Sequence, residues 1–187
     1  MACNLTKGRQ ILCRDGIGGI KAIYIAQHDQ LTSYVAASGS VTDFDLGAGD
    51  DLYKYLLKRG TGSVTETINA SSENGTVFYT HSVNVKLHNL TAADQNEVKL
   101  LAQQRMVIFA ELNQLNASGK NTIVALGLDN GCELSAGTST SGAALADGAN
   151  YDFTFEAMEP NPMQLLADYT TAPFDNSAFT LNAIVTS

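Results

Sequence analysis

TVFYTHSVNVKLH, residues 76–88, decides the fold. Val77, Tyr79, Val83, Val85 and Leu87 share one parity, broken only by His81, while Thr76, Thr80, Ser82, Asn84, Lys86 and His88 take the other together with Phe78. Strand side chains alternate between two faces, so this pattern predicts a long strand with one buried face. Just before it stand Asn74-Gly75, a tight-turn dipeptide, and Gly62 to Ser72 (GSVTETINASS), which is β-branched and rich in threonine. The two segments predict a hairpin.

After the hairpin comes a helix signal. Thr91 is placed to cap it and Asp94 follows three residues later, a capping-box-like pair that satisfies free amides at a helix start. The helix is expected over about 91–104, with Ala93, Val98, Leu101 and Ala102 as a narrow apolar stripe beside Leu100, covering one side of a sheet. Strands are predicted at Met106 to Leu112, Asn121 to Leu128 and Cys132 to Ala136, the last two joined through Asp129-Asn130-Gly131 as a type I′ turn. Asn150 to Ala157 sets Tyr151, Phe153, Phe155 and Ala157 against Asp152, Thr154 and Glu156. Ala178 to Val185 alternates in the same way, and Ile20 to Ala26 and Leu52 to Lys58 read as further strands. Ser38–Asp51 and Ala136–Asp147 are Gly-rich, small-residue segments, read as long loops able to act as inter-subunit arms. The fold class expected is α+β, mostly β: two packed antiparallel sheets with one flanking helix, in a single domain over 1–187.

Charge is distributed unevenly. After Lys120 there is no lysine or arginine, yet eight carboxylates follow: Asp129, Glu133, Asp147, Asp152, Glu156, Glu159, Asp168 and Asp175. Residues 1–120 carry eleven basic and eleven acidic side chains, so the net charge of −8 belongs to the last third. Such a surface repels phosphate rather than gripping it. The N-terminus lacks a secretory pattern and no run approaches the ~20 apolar residues of a membrane span, which reads as a protein cytosolic when made, with no membrane partner. Cys3, Cys13 and Cys132 show no CxxC spacing and read as reduced, structurally incidental thiols.

Catalytic and metal patterns are weak. His81 and His88 have opposite parity and point to opposite faces, and His28 is remote in sequence, so no metal site is expected. Gly16-Ile17-Gly18-Gly19 lacks a preceding strand and reads as a turn before Ile20 rather than a phosphate loop. Asp43, Asp45, Asp50 and Asp51 miss the EF-hand pattern, whose glycine and bidentate glutamate fall at Ala48 and Lys54. Glu66 and Glu73 read as a solvated face of the hairpin. No catalytic residue, cofactor or metal is assigned.

The order of these parts carries a resemblance. The Gly62–Leu87 hairpin, the capped helix at 91–104, LAQQRMVIFAELN (Leu101–Asn113), NTIVALGLDNGCELSAG (Asn121–Gly137) and DGANYDFTFEAMEP (Asp147–Pro160) together resemble the tail tube proteins of tailed bacteriophages, similar in design to the type VI secretion tube protein. The resemblance covers roughly residues 60–160; CRDGIGGIKAIYIA and the rest of the first 60 residues match no tube feature. It implies a non-enzymatic virion protein whose subunits close into hexameric rings, stacked as a conduit for genome ejection. Its partners would be further copies of itself, other tail proteins (sheath in a contractile tail, baseplate or tip, terminator) and viral DNA as cargo, in a virion tail assembled in the host cytoplasm. Six copies at −8 give −48 per ring, an acidic wall to which DNA would not adhere. Asp152 and Glu156 are the candidate lumen-facing acids. Two rivals stand beside this reading: a virion surface or adhesion module binding a host ligand through its Thr- and Ser-rich loops, and a small hydrolase pairing Glu66 with an acid of the last third.

Overall fold

A computed structural model describes residues 8–9 and 16–186. The chain runs through β1 (Ile20–Gln27), β2 (Leu31–Ala37), β3 (Ser40–Leu46), β4 (Leu52–Leu56), β5 (Gly62–Ser71), β6 (Thr76–His88), α1 (Ala92–Leu101), β7 (Met106–Leu115), β8 (Asn121–Leu126), β9 (Glu133–Thr140), β10 (Asn150–Glu159), β11 (Gln164–Leu166), β12 (Phe179–Thr180) and β13 (Ile184–Val185). These strands form two sheets. A small one has the order β5-β6-β10-β9, and a large one the order β12-β3-β11-β8-β7-β1-β4-β13, with β2 also paired to β3. The expected mostly-β α+β class is observed, with pairing antiparallel throughout except where the short β11, β12 and β13 join β3 and β4 in parallel.

The large sheet lies in the middle of three layers. On β1, β7 and β8 consecutive residues are apolar, the composition of strands covered on both faces, and six residues of β7 in succession are buried. Ile23, Ile25, Ile108, Ala110, Val124 and Leu126 point toward the small sheet, where they meet Val83, Val85, Phe153 and Phe155. Tyr24, Phe44 and Phe109 point the other way, toward Tyr169, Phe174 and Phe179. Phe174 lies 4.8 Å from Tyr24 and 5.3 Å from Phe109 between ring centroids, both edge-to-face. Its φ of 67° is a conformation seldom adopted by a bulky residue, held here by the four rings around it. Glu111 is buried on this side and is satisfied by the Lys21 ammonium at 2.7 Å and the Tyr24 hydroxyl at 2.9 Å.

Several expectations need correction. Residues 38–51 are not a long loop: Ser38-Gly39 turns β2 into β3, and only 47–51 remain irregular. Residues 136–147 are likewise half strand, because β9 continues to Thr140. β-Branched and small polar side chains sustain an exposed edge strand as readily as a loop, which is why composition misled here. Asn130-Gly131 is not a hairpin turn, since β8 belongs to the large sheet and β9 to the small one. The link between them packs so tightly that a Cβ on Gly127 would lie 2.7 Å from the Cys132 nitrogen and sulfur. Ala178–Val185 is not one alternating strand but two short parallel bridges. The helix stops at Leu101, with Ala102 as its C-cap, short of 104; Thr91 caps it by accepting from the Asp94 amide at 3.1 Å. Val98 and Leu101 of the forecast stripe pack against the core, whereas Ala102 and Leu100 are exposed. Cys132 is buried, and burial pushes its thiol well above the ordinary value; Cys3 and Cys13 lie outside the described residues.

Candidate functional site

The small sheet carries the features with no structural occupation inside the chain. In antiparallel register, directly opposed residues share a face. Val85 with Phe153, and Val83 with Phe155, therefore point inward, while Asp152 with Lys86, Thr154 with Asn84, and Glu156 with Ser82 point outward. That outer face is mostly polar, with Ser63, Thr65 and Thr67 on β5 and Glu133 and Thr138 at the β9 end, though Phe78, Ala136 and Met158 share it. Asp152 and Glu156 thus lie outward from the core, as expected, but they differ. Asp152 accepts from Asn84 Nδ2 at 2.8 Å and lies 3.5 Å from the Lys86 ammonium. Glu156 stands directly opposite Glu133, both exposed, a like-charge pair with no basic neighbour among the described residues.

Three acids, Asp152, Glu156 and Glu133, and one lysine, Lys86, leave this face at −2 per chain, so most of the net charge of −8 lies elsewhere. The remaining acids hold their own loops. The Asp175 carboxylate, bonded by Thr170 and the amides of Ala172 and Thr171, sits well below the usual carboxylate range. Asp147 is lowered in the same way by the amides of Ala144 and Ala143. Asp168 accepts from Asn116 and Ser118, and Glu159 accepts from the amides of Asp129 and Asn130 at 3.1 and 3.0 Å.

The edges of this sheet are open. β5 pairs only with β6, and β9 only with β10. The Lys86 amide donates to the Thr61 carbonyl, and that register continued along β5 turns the backbone groups of Val64, Glu66, Ile68 and Ala70 away from β6, outward. Beyond Glu66 and His81 the β5–β6 hairpin also overhangs the large sheet. Ile68 (64% exposed) and Val77 (55%) lie on its inner face with nothing beneath them.

At the root of the overhang is a cleft of about 460 Å³, lined by His81, Asp129, Glu159, Tyr34 and Val35 among others. His81, forecast as a break in the apolar face, is one of its buried members, 3% exposed, and neither ring nitrogen has a hydrogen-bond partner. Its Nε2 is 3.4 Å from Glu66 Oε1, an atom that also accepts from the Met163 amide at 2.5 Å. Glu66 is therefore not on a solvated face but on the inner one, and Glu73 lies apart in the hairpin turn. Both oxygens of Asp129 are engaged, by the Tyr34 hydroxyl and by Asn161 Nδ2. Among the described residues no three His, Cys, Asp or Glu side chains are grouped to hold a metal ion, and Asp45, Asp50 and Asp51 instead bind Ser33, Gln30 and Asn182. Sequence reasoning missed this cleft because its walls come from four separate segments, 34–39, 81, 125–129 and 159–164; the one local signal was a histidine on an apolar parity.

Burial holds His81 below the ordinary histidine value of 6.5, outweighing the upward pull of Glu66. The unfolded chain thus takes up a proton near pH 6.5 that the folded chain accepts only at lower pH. Stability from the neutral imidazole is complete above 6.5 and is lost as pH falls below it. Glu159 acts oppositely, its carboxyl raised above 4.5 chiefly by burial, so that acid relieves its cost. Thermal melts from pH 7.5 to 5.5 are expected to fall in midpoint for the parent, and His81→Gln, which leaves Glu159 in place, should remove that part of the fall. Parallel profiles for the two proteins would refute the assignment. Among the described residues no helix is long and apolar enough to cross a membrane. Comparison with protein-family models, curated proteins and solved structures finds no match to this chain.

Proposed function

We propose that this chain is a structural, non-enzymatic subunit that closes into rings and stacks as a phage tail tube. The observation that carries the reading is the four-stranded sheet with two open edges and a mostly polar outer face. β5 and β10 are both antiparallel to β6, and β9 is antiparallel to β10, so β5 and β9 run in opposite directions. The β5 edge of one copy set against the β9 edge of the next makes an antiparallel pair. That contact is heterologous, and a heterologous contact that closes gives a ring with no edge left over.

With six copies the small sheets become a barrel of about twenty-four strands. At ~4.8 Å between strands and a tilt of ~40°, its backbone diameter is about 50 Å. Barrels of about sixteen to eighteen strands already leave an aqueous channel, so this one encloses a wide bore. The face bearing Asp152, Glu156 and Glu133 lines it, the large sheets form the outer layer, and the overhanging β5–β6 tip, with Ile68 and Val77, reaches the adjoining ring. DNA passes as cargo, and sheath, baseplate or terminator proteins meet the outside and ends of the tube in the virion.

Size and shape test this directly. The purified chain, examined by light scattering and negative-stain imaging across a concentration series, is expected to give rings or tubes with a central hole. A strict monomer at millimolar concentration would end the proposal.

A further inference from the structure

We propose that the cleft between the root of the β5–β6 hairpin and the β2–β3 hairpin is a binding site for an organic cation, an alkylammonium or guanidinium group. The first ground is its hydrogen-bonding inventory. Most side-chain donors on its walls are committed, the Tyr34 hydroxyl and Asn161 Nδ2 to Asp129 and Gln164 Nε2 to the Pro162 carbonyl, as are the amides of Asp129 and Asn130 to Glu159; the Ser38 hydroxyl and the single N–H of a neutral His81 are the exceptions. What remains is chiefly acceptor capacity. Each carboxylate oxygen keeps a second lone pair, and a neutral imidazole offers one ring nitrogen as an acceptor.

The second ground is His81 itself. It is 3% exposed and lines the cleft, and neither ring nitrogen makes a hydrogen bond of good geometry, the nearest approach being Glu66 Oε1 at 3.4 Å from Nε2, whereas buried polar atoms are almost always paired. The third is charge. Glu66, Asp129 and Glu159 cluster around this histidine, and among the described residues no lysine or arginine forms an ion pair with any of them. A ligand complementary to such walls is positively charged and carries several N–H donors on a narrow body. A bare metal ion fits poorly, because among the described residues no three His, Cys, Asp or Glu side chains come close enough together to hold one. Phosphate and carboxylate ligands meet only like charge. The apolar part of the lining, Val35, Ala36 and Leu128, suits the methylene stem behind a cationic head.

Agmatine, which bears both groups, is the probe. Thermal melts are run against increasing agmatine, with tetramethylammonium chloride at equal ionic strength as a cation that lacks N–H donors. The midpoint is expected to rise along a saturating curve with agmatine and not with the control, since a ligand bound only by the folded state stabilises it in proportion to the logarithm of its excess. Asp129→Asn should weaken the apparent affinity about tenfold, the effect of losing one charge-assisted contact. Val35→Arg, at an exposed position on the cleft wall, should fold normally and abolish the response by placing a tethered guanidinium in the site. Equal responses to agmatine and tetramethylammonium, or an unchanged agmatine response in Val35→Arg, would overturn the proposal. Once binding is established, its natural source is read by mass spectrometry: a small amine released on denaturation identifies a free ligand, and a carbodiimide cross-link from Asp129 to a lysine of another chain identifies a protein side chain.

Discussion

Ile68→Pro is expected to leave the chain folded and monomeric under conditions in which Ile68→Thr still forms rings. Residue 68 lies on an edge strand with its backbone amide turned away from β6, so proline there removes no bond within the subunit. Edge positions of that kind are where strands tolerate proline. Between subunits the effect is large. A missing donor costs about 1 kcal/mol at each contact, six contacts close a ring, and the total is about 6 kcal/mol before the pyrrolidine ring pushes the neighbouring strand away. Threonine keeps both the amide and β-branching while discarding the apolar tip, so the pair of variants separates edge pairing from hydrophobic contact. Analytical ultracentrifugation gives the answer, and rings of Ile68→Pro as stable as the parent's would remove β5 from the ring interface.

The second large effect concerns DNA. Reversing Asp152 and Glu156 to lysine changes the outer face of the small sheet from −2 to +2 per chain, which is −12 to +12 around six copies. Phosphate binding by clustered cations is steeply salt-dependent, with losses of about 10³ to 10⁵ in affinity between 50 and 200 mM salt for six to ten contacts. Tubes of the double variant should therefore hold duplex DNA at 50 mM salt and release it well below 500 mM, while parent tubes hold none at either. Glu156→Lys alone should fold at least as well as the parent, because it turns the opposed Glu133–Glu156 pair into an attractive one. Asp152→Lys should cost a little, since it sets a second cation against Lys86. Glu73→Lys with Glu97→Lys, at exposed positions off this face, makes the same change in net charge and serves as the control. DNA retention equal in the two double variants would mean that Asp152 and Glu156 do not line the bore.

How far the sequence could be read follows from where each physical signal resides. Alternation along 76–88 and 150–157 is a local property, and it located the inward and outward faces of β6 and β10 correctly at Val83, Val85, Phe153 and Phe155. The Thr91 cap is equally local and was legible. The continuous apolar runs at 20–26 and 106–112 were recognised as strands, but their burial on both faces meant a third layer, and the residues forming it, Tyr169, Phe174 and Phe179, sit in a segment with little regular structure of its own. Charge misled in a different way. Eight carboxylates without a counter-ion looked like one acidic surface, yet Asp147, Glu159 and Asp175 bind backbone amides of nearby turns, a role that needs no lysine. The His81 cleft was beyond reach because its walls meet only after both sheets are in place.

The aromatic layer also sets a timetable. Phe44 and Phe179 pack at 4.8 Å, and β12 and β13 reach back to pair with β3 and β4. Phe44 is synthesised 135 residues before its partner, which at roughly 5 to 20 residues per second is an interval of about 7 to 27 s. Through the later part of that time Tyr24, Phe44 and Phe109 stand without their cover while β5 and β6, by then made, present an open edge. A nascent chain is thus at its stickiest until residues 169–179 have been made, and any chaperone serving this protein meets an aromatic face together with a strand edge.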